Sequence, residues 1–228
     1  MRKHKTEFTE DKFSGIKVNC NHNRPTNEKI LALLYVMTYE VSQTLNRPCG
    51  FHVRVRFTSR MTASSFSSRI TTYYQRKSSY KPLWVCAAET DPGQTDLHYH
   101  YALVLDARHD SISSLFYHLG KLQQNGFIYD YHIKGHNDAR WGLTLNNPVN
   151  LAKYLYWLSY IGKTSTKPLD RQTYSASHSV NAATKKWLED GKPHLHLTHK
   201  SATNTSSQVT LENFLEHGIE LTAVGGEY

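Results

Sequence analysis

The sequence has few cysteines and no long apolar run, and each shortage excludes a class of protein. Cys20, Cys49 and Cys86 are odd in number and far apart. We therefore expect neither a disulfide framework nor a zinc ribbon built on C-x-x-C pairs. No apolar stretch approaches the roughly 20 residues that cross a bilayer, and the polar first residues contain no signal-peptide core. These observations predict a cytoplasmic protein with no membrane partner.

Charge and length set the next limits. Lys and Arg number 27 against 19 Asp and Glu, which gives a net charge of +8. Such a balance favours an anionic partner, without separating nucleic acid from a membrane surface. A chain of 228 residues that is 39% hydrophobic is long enough for one sizeable core with small appendages.

Hydrophobic periodicity predicts an α+β fold with a central antiparallel sheet and helices on one of its faces. Residues 1–26 are interpreted as a polar N-terminal arm, 27–200 as the folded domain, and 201–228 as a linker with a short C-terminal helix. Helices are predicted at 27–46, 61–79, 111–126, 147–163 and 177–191. Strands are predicted at 51–58, 82–89, 97–106 and 127–133. Pro-Gly turn chemistry between the second and third strands favours a hairpin.

The stretch LHYHYALVL (97–105) places His98 and His100 two residues apart on a predicted strand. Because side chains alternate along a strand, both rings should point to one face. Fourteen histidines in 228 residues give about one H-x-H by chance, and a second such motif, HLH at 194–196, lies in polar sequence. A strand that carries two histidines by chance remains the alternative, but the strand context favours His98 and His100 as metal ligands.

A third ligand is expected on the preceding strand. In PLWVCAAE, Val85, Ala87 and Glu89 share one face, and a hairpin would bring Glu89 beside the histidine pair. Two imidazoles and one carboxylate suit Mn²⁺ or Mg²⁺, although Zn²⁺ or Ni²⁺ would also bind. The alternative for Glu89 is a solvated strand end.

The stretch YLYWLSYIGK (154–163) contains the pattern Y-x-x-x-Y-x-x-K. Tyr156 and Tyr160 are four residues apart and Lys163 follows one turn later, so all three should share one side of a helix. Chance predicts about 0.07 occurrences of this pattern in such a chain. Tyr154 is rotated by roughly 200° from Tyr156 and should face elsewhere. The alternative is amphipathic packing with the phenol groups at the surface.

The strand FHVRVRFT (51–58) alternates apolar and polar residues, so Arg54 and Arg56 share its polar face. Two arginines on an exposed strand face are candidate contacts to a DNA backbone. A solvated sheet edge without a ligand explains them equally well.

Together these motifs resemble the HUH endonucleases, and most closely the inovirus-type rolling-circle replication proteins of filamentous phages. The resemblance covers about residues 50–170 and rests on FHVRVRF, WVCAAE, HYHYALVL and YLYWLSYIGKTSTK, in that order. It implies that residues 27–200 contain a five-stranded antiparallel sheet, called the palm in this family. It also implies that the predicted helix at 147–163, the tyrosine helix, crosses near the histidines.

The resemblance also implies a metal-dependent enzyme that nicks and joins single-stranded DNA through a 5′-phosphotyrosine intermediate. Tyr160 is the expected first nucleophile and Tyr156 the second, and Lys163 would either lower the phenol pKa or hold a phosphate oxygen. The expected partners are single-stranded or supercoiled DNA, with a host helicase and polymerase, in the cytoplasm of a bacterial host cell.

Three functions remain open at this point. The first is a rolling-circle replication initiator of a phage or phage-like element. The second is a nickase directed at a competing replicon, or a mobilisation or transposition enzyme. The third is a DNA-binding repressor without catalysis, which the intact histidine and tyrosine motifs disfavour.

Overall fold

A computed structural model describes residues 7–90, 97–108, 112–134, 142–167 and 173–193. The helices are α1 (Glu28–Tyr39), α2 (Ala63–Ser78), α3 (Ile112–Gln124), α4 (Pro148–Ser159) and α5 (His178–Glu189). The strands are β1 (Glu7–Phe8), β2 (Lys12–Phe13), β3 (Ile16–Lys17), β4 (Thr26–Asn27), β5 (Pro48–Phe57), β6 (Leu83–Thr90), β7 (Leu97–Asp106), β8 (Ile128–Lys134), β9 (Leu143–Thr144) and β10 (Tyr174–Ala176). Short 3-10 turns, Val41–Thr44 and Tyr160–Gly162, follow α1 and α4.

Six strands form an antiparallel sheet in the order β10-β6-β7-β5-β8, and β9 pairs with the start of β5. The predicted α+β class with a central antiparallel sheet is therefore confirmed, and β6 pairs with β7 as the predicted hairpin requires. The sheet has six strands rather than about five. The additional short strands β9 and β10 contain two and three residues, too few for an alternating pattern to be visible in the sequence.

Helices cover both faces of the sheet, so the prediction that they lie on one face is wrong. On one face, Phe51, Val53 and Val55 of β5 enter a core that includes Phe66 of α2 and Leu115 of α3. On the other face, α1 contacts β6, α4 and α5. Both faces therefore bury apolar surface, and the polar residues of the candidate site lie on the face of α1 and α4.

The N-terminal segment packs against the domain, so the prediction of a polar arm is wrong for residues 7–26. The Phe13 ring is 4% exposed and lies against the rings of Tyr35 and Trp187. Further along, the Asn19 backbone N–H donates to the Ser159 hydroxyl. The prediction failed because the few apolar residues of this segment are spaced by polar ones, without helical or strand periodicity.

Two further predictions concern the C-terminal part of the chain and the absence of membrane-spanning helices. The predicted linker and helix at 201–228, and the HLH motif at 194–196, lie outside the described residues. None of the helices in the described ranges is long and apolar enough to cross a membrane.

Helix α4 lies very close to the sheet because β5 carries a glycine beneath it. A Cβ built on Gly50 would lie 2.5 Å from the Tyr154 ring. The Tyr154 hydroxyl reaches past this point to the carbonyl oxygens of Phe51 and Leu103, at 3.1 and 3.0 Å. Gly50 therefore sets the height of α4 above the sheet, and with it the position of the tyrosine motif.

We expect Gly50→Ala to lower the free energy of unfolding by about 1–3 kcal/mol, since the added methyl group forces Tyr154 or the strand to move. Gly120→Ala is the matched control, because a Cβ there would meet only the Tyr131 hydroxyl at 3.7 Å. This helical substitution should stabilise α3 by roughly 0.5–1 kcal/mol. Equilibrium urea unfolding measures both, and equal stability of Gly50→Ala and wild type would contradict the close approach of α4.

Candidate metal centre

The pairing of β6 with β7 brings the three predicted metal ligands together. Glu89 lies directly opposite His98, and Ala87 lies opposite His100. Because side chains alternate along each strand, all three functional groups project from the same face of the sheet. The Glu89 Oε2 atom is 3.2 Å from His100 Nε2 and 3.8 Å from His98 Nε2. The predicted association of the carboxylate with the histidine pair is thus confirmed.

The three side chains could hold a metal ion, as their burial and spacing indicate. Candidate ligand atoms of all three residues lie within 4.8 Å of one another, and each residue is at most 3% exposed. The His100 Nε2 atom is buried and, although close to Glu89, makes no hydrogen bond of suitable geometry. A buried donor or acceptor without a hydrogen bond is costly, whereas two imidazoles and a carboxylate could bind a metal ion together.

A fourth buried side chain, His52 of β5, supports this cluster from behind. Its Nε2 atom is 2.8 Å from His100 Nδ1. Metal-binding histidines commonly hydrogen-bond through the second ring nitrogen, which sets the tautomer and ring orientation. If His100 binds a metal through Nε2, the ring proton must be on Nδ1, which then donates a hydrogen bond to His52 Nε2. The sequence analysis missed His52, although strand alternation places it on the same face as Arg54.

The local electrostatics of Glu89, His100 and His52 favour an ionised carboxylate and neutral imidazoles. Burial alone would raise the pKa of Glu89, but close contacts with His100 and His98 and the charge of Lys167 hold it well below its usual range. Burial lowers the pKa of His100, although Glu89 opposes this effect. Burial, followed by the nearby His100, lowers the pKa of His52 as well. An ionised carboxylate and neutral imidazoles are the forms that bind metals.

The tyrosine helix ends beside this cluster, one residue before Tyr160. Asn147 caps α4 through its side chain and Pro148 occupies the first turn, as the predicted start requires. The predicted end at residue 163 is wrong, because the helix stops at Ser159 and Tyr160 begins a 3-10 turn. The Ser159 hydroxyl donates to the Tyr156 carbonyl and accepts the Asn19 N–H. These bonds tie the end of α4 to the N-terminal segment.

Tyr160 is the tyrosine that the structure places against the cluster. Its ring centroid is 6.1 Å from that of His100, and the two planes are nearly perpendicular. The Lys163 ammonium lies 3.9 Å from the Tyr160 ring centroid, and the Lys134 ammonium lies 5.6 Å from it. Tyr160 and Lys163 are therefore neighbours, as predicted, and Lys134 of β8 is a cation that the sequence analysis did not select.

The other two tyrosines differ sharply in environment. Tyr156 is half-buried and lies one turn before Tyr160 in α4. Tyr154 is fully buried beneath the helix, where burial raises the pKa of its phenol well above the usual value. The prediction that Tyr154 faces away from Tyr156 is confirmed, and its hydroxyl serves to attach α4 to the sheet.

The two arginines lie on the same face of β5 as the cluster. Arg54 is opposite His100 on one side and His132 on the other. Arg56 is half-buried, with its guanidinium 4.0 Å from the Asp130 carboxylate. The predicted shared face is confirmed, while their contact with DNA stays a prediction.

Comparison with protein-family models, curated proteins and solved structures gives no match for this chain. The function must therefore be argued from the geometry and from the motifs.

If Glu89 is a metal ligand, Glu89→Ala should weaken Mn²⁺ binding by about 10–100-fold, as loss of a ligand or of its close support commonly does. His98→Ala and His100→Ala should each have at least as large an effect. Isothermal titration calorimetry measures the affinities, and circular dichroism checks the fold of each variant.

His132→Ala is the matched control for these substitutions. His132 is an exposed histidine on the neighbouring strand β8, on the same face of the sheet. The His132→Ala variant should therefore bind Mn²⁺ with wild-type affinity. Unchanged affinity in Glu89→Ala would remove Glu89 from the ligand set, and lost affinity in His132→Ala would show that the ligand set extends beyond the cluster.

Proposed function

We propose that the protein is a metal-dependent endonuclease that nicks and joins single-stranded DNA through a tyrosine nucleophile. One observation carries this proposal: the Tyr160 ring lies against His100 of the buried Glu89, His98, His100 cluster. A nucleophile and a metal-binding group must lie within reach of the same phosphate for such a reaction. The order and spacing of the motifs, which resemble those of HUH endonucleases, support the same assignment.

The reaction exchanges one phosphodiester for another. The Tyr160 oxygen forms a bond to the scissile phosphorus while the bond from phosphorus to the 3′ oxygen breaks. The 5′ phosphate then remains on the tyrosine, and the 3′ oxygen leaves as a hydroxyl after taking up a proton. The free hydroxyl can prime synthesis or attack the phosphotyrosine, which reverses the step and rejoins the strand.

The phenol requires assistance because its ordinary pKa is about 10, so it is mostly protonated at neutral pH. Lys163 and Lys134 place two ammonium groups near Tyr160, where positive charge favours the phenolate and the developing phosphate charge. A divalent cation held by Glu89, His98 and His100 would polarise the scissile phosphate. His52 would keep the His100 ring in the required orientation.

The surroundings of the cluster suit a polyanion. Arg54, Arg56 and Lys134 share the face of the sheet that carries the histidines, and the whole chain has a net charge of +8. Phosphate contacts of this kind position a strand without reading its sequence. Single-stranded DNA laid along this face would bring a phosphate to Tyr160.

Rolling-circle replication initiation is the biological role that we propose for this chemistry. It rests on the two tyrosines of the Y-x-x-x-Y-x-x-K pattern, since a second tyrosine permits a second transfer while the first still holds DNA. Tyr156 is the candidate for that second step because it is half-buried and lies one helical turn from Tyr160.

Phenylalanine substitutions test the assignment, because each removes a hydroxyl and keeps the ring. With Mn²⁺ and a randomised pool of single-stranded oligonucleotides, Tyr160→Phe should form no covalent protein–DNA adduct. Tyr156→Phe should form the first adduct but fail in sequential cleavage and joining. Denaturing gel electrophoresis detects the adduct, and mass spectrometry of the trapped species identifies the tyrosine that bears DNA.

Tyr154→Phe is the control for loss of a phenol in the same helix. It removes the hydrogen bonds to Phe51 and Leu103, so it should lower stability while keeping adduct formation on the folded protein. An adduct on Tyr154, or nicking that persists when Tyr156 and Tyr160 are both phenylalanine, would contradict the two-tyrosine mechanism.

A further inference from the structure

A buried lysine, Lys167, bridges the two halves of the candidate site. Its side chain is 1% exposed. Its Nζ atom donates to Glu89 Oε1 and to the Ile161 carbonyl oxygen, each at 2.6 Å. A buried ammonium is costly unless it is paired and hydrogen-bonded. The hydrogen bonds to Glu89 and Ile161 meet this requirement, and their acceptors belong to different elements.

On the metal side, Lys167 determines which carboxylate oxygen faces the histidines. Its ammonium holds Oε1 of Glu89, while Oε2 points toward His98 and His100. The carboxylate cannot rotate about its last bond without breaking a charge-assisted hydrogen bond, which is stronger than a neutral one. Glu89 therefore offers a single oxygen in a fixed direction.

On the tyrosine side, Lys167 holds the turn that carries the nucleophile. Ile161 is the middle residue of the Tyr160–Gly162 turn, and its side chain is fully buried. Carbonyl groups at the end of a helix lack partners within the helix, and a cation is favourable there. The Lys167 ammonium is both a hydrogen-bond donor and a cation, so it holds the turn from the side of the metal cluster.

The backbone around Lys167 is itself anchored to the strand of the metal ligand. The Thr166 carbonyl accepts the Thr90 N–H at 3.0 Å, one residue beyond Glu89. The Lys167 N–H donates to the Thr164 carbonyl at 3.2 Å, which closes a tight turn. Lys167 is thus a short rigid connection between the end of β6 and the end of α4.

We propose that Lys167 is a positioning residue that sets the distance between Tyr160 and the metal-binding carboxylate of Glu89. This inference rests on the proposed function for the role of Tyr160. Lys167 contacts neither substrate nor metal, and it acts through the two groups that it joins. A displacement of about 1 Å between a nucleophile and its target can cost on the order of 100-fold in rate, so such a connection has a large effect on the reaction.

Lys167→Met tests the proposal, because methionine is also long and unbranched but carries no charge. Mn²⁺ should still bind, with an affinity within about tenfold of wild type, because loss of the positive charge beside Glu89 favours the cation while loss of the hydrogen bond to the carboxylate disfavours it. The rate of adduct formation on the oligonucleotide pool should fall by roughly tenfold or more, because Tyr160 is no longer held. This separation of metal binding from reaction rate distinguishes positioning from a general loss of structure.

Two further variants keep the test decisive. Lys185→Met removes the same charge from a side chain that is 79% exposed, so its adduct rate shows the effect of net charge alone. Lys167→Arg keeps the charge but donates from a wider planar group. It should fold, bind Mn²⁺ and react more slowly than wild type, and it replaces Lys167→Met if the methionine variant does not fold.

A distance measurement tests the inference without DNA. Protein labelled with 3-fluorotyrosine gives a fluorine signal from Tyr160, assigned by its loss in Tyr160→Phe. Bound Mn²⁺ enhances its relaxation with the inverse sixth power of distance. We expect weaker or more heterogeneous enhancement in Lys167→Met than in wild type and in Lys185→Met.

Either of two results would overturn the proposal. One is a folded Lys167→Met with wild-type fluorine relaxation and the adduct rate of Lys185→Met. The other is a parallel loss of Mn²⁺ binding and adduct formation, which would show that Lys167 acts on the metal ligand alone. If wild type forms no adduct but the fluorine relaxation changes as expected, the proposed function is wrong and the positioning role stands.

Discussion

The register between β6 and β7 is the constraint on which the candidate site depends. It places Glu89 opposite His98 and leaves His100 two residues further along the same face. A slip of one residue would turn the imidazoles or the carboxylate to the opposite face, because side chains alternate with a period of two. The apolar residues of the same strands prevent such a slip. Val85 is buried on the face of Glu89, and Tyr101 and Leu103 belong to the core on the other face.

Burial of this cluster also places demands on the rest of the fold. An ionised carboxylate at 2% exposure requires compensation, which comes from Lys167 and from the two imidazoles. The imidazoles come from the neighbouring strand and the ammonium from 78 positions away, so the cost of burying Glu89 is offset only in the folded arrangement. The polar groups of the candidate site therefore also link β6, β7 and the segment after α4.

The height of α4 above the sheet connects this cluster to the tyrosines. Gly50 permits the Tyr154 ring to lie on the strand, and the Tyr154 hydroxyl attaches to two strand carbonyls. With the middle of the helix held in this way, its end brings Trp157 against His52 and Tyr160 against His100. Tyr154, which lies outside the Y-x-x-x-Y-x-x-K pattern, therefore attaches the helix to the sheet, while Tyr160 lies beside the cluster.

The sequence by itself determined the four long strands of the sheet, most of the helix starts and the three residues of the buried cluster. These follow from local patterns: strict alternation in residues 51–58, H-x-H within an apolar strand, and an Asn-Pro start for α4. Strands β6 and β7 are consecutive in the chain and pair antiparallel, so even the meeting of Glu89 with His98 is a short-range consequence of the chain.

Tertiary structure alone decided the rest, because the remaining contacts join residues that no local pattern relates. His52 meets His100 across 48 positions, and Lys167 meets Glu89 across 78. Residues 7–26 were interpreted as an arm because their few apolar side chains show no period, yet Phe13 finds partners in α1 and α5. The end of α4 at Ser159 likewise depends on the Asn19 N–H, 140 positions away. Burial and hydrogen bonding between distant segments, which have no signature in residue spacing, therefore determine the support and positioning of the candidate site.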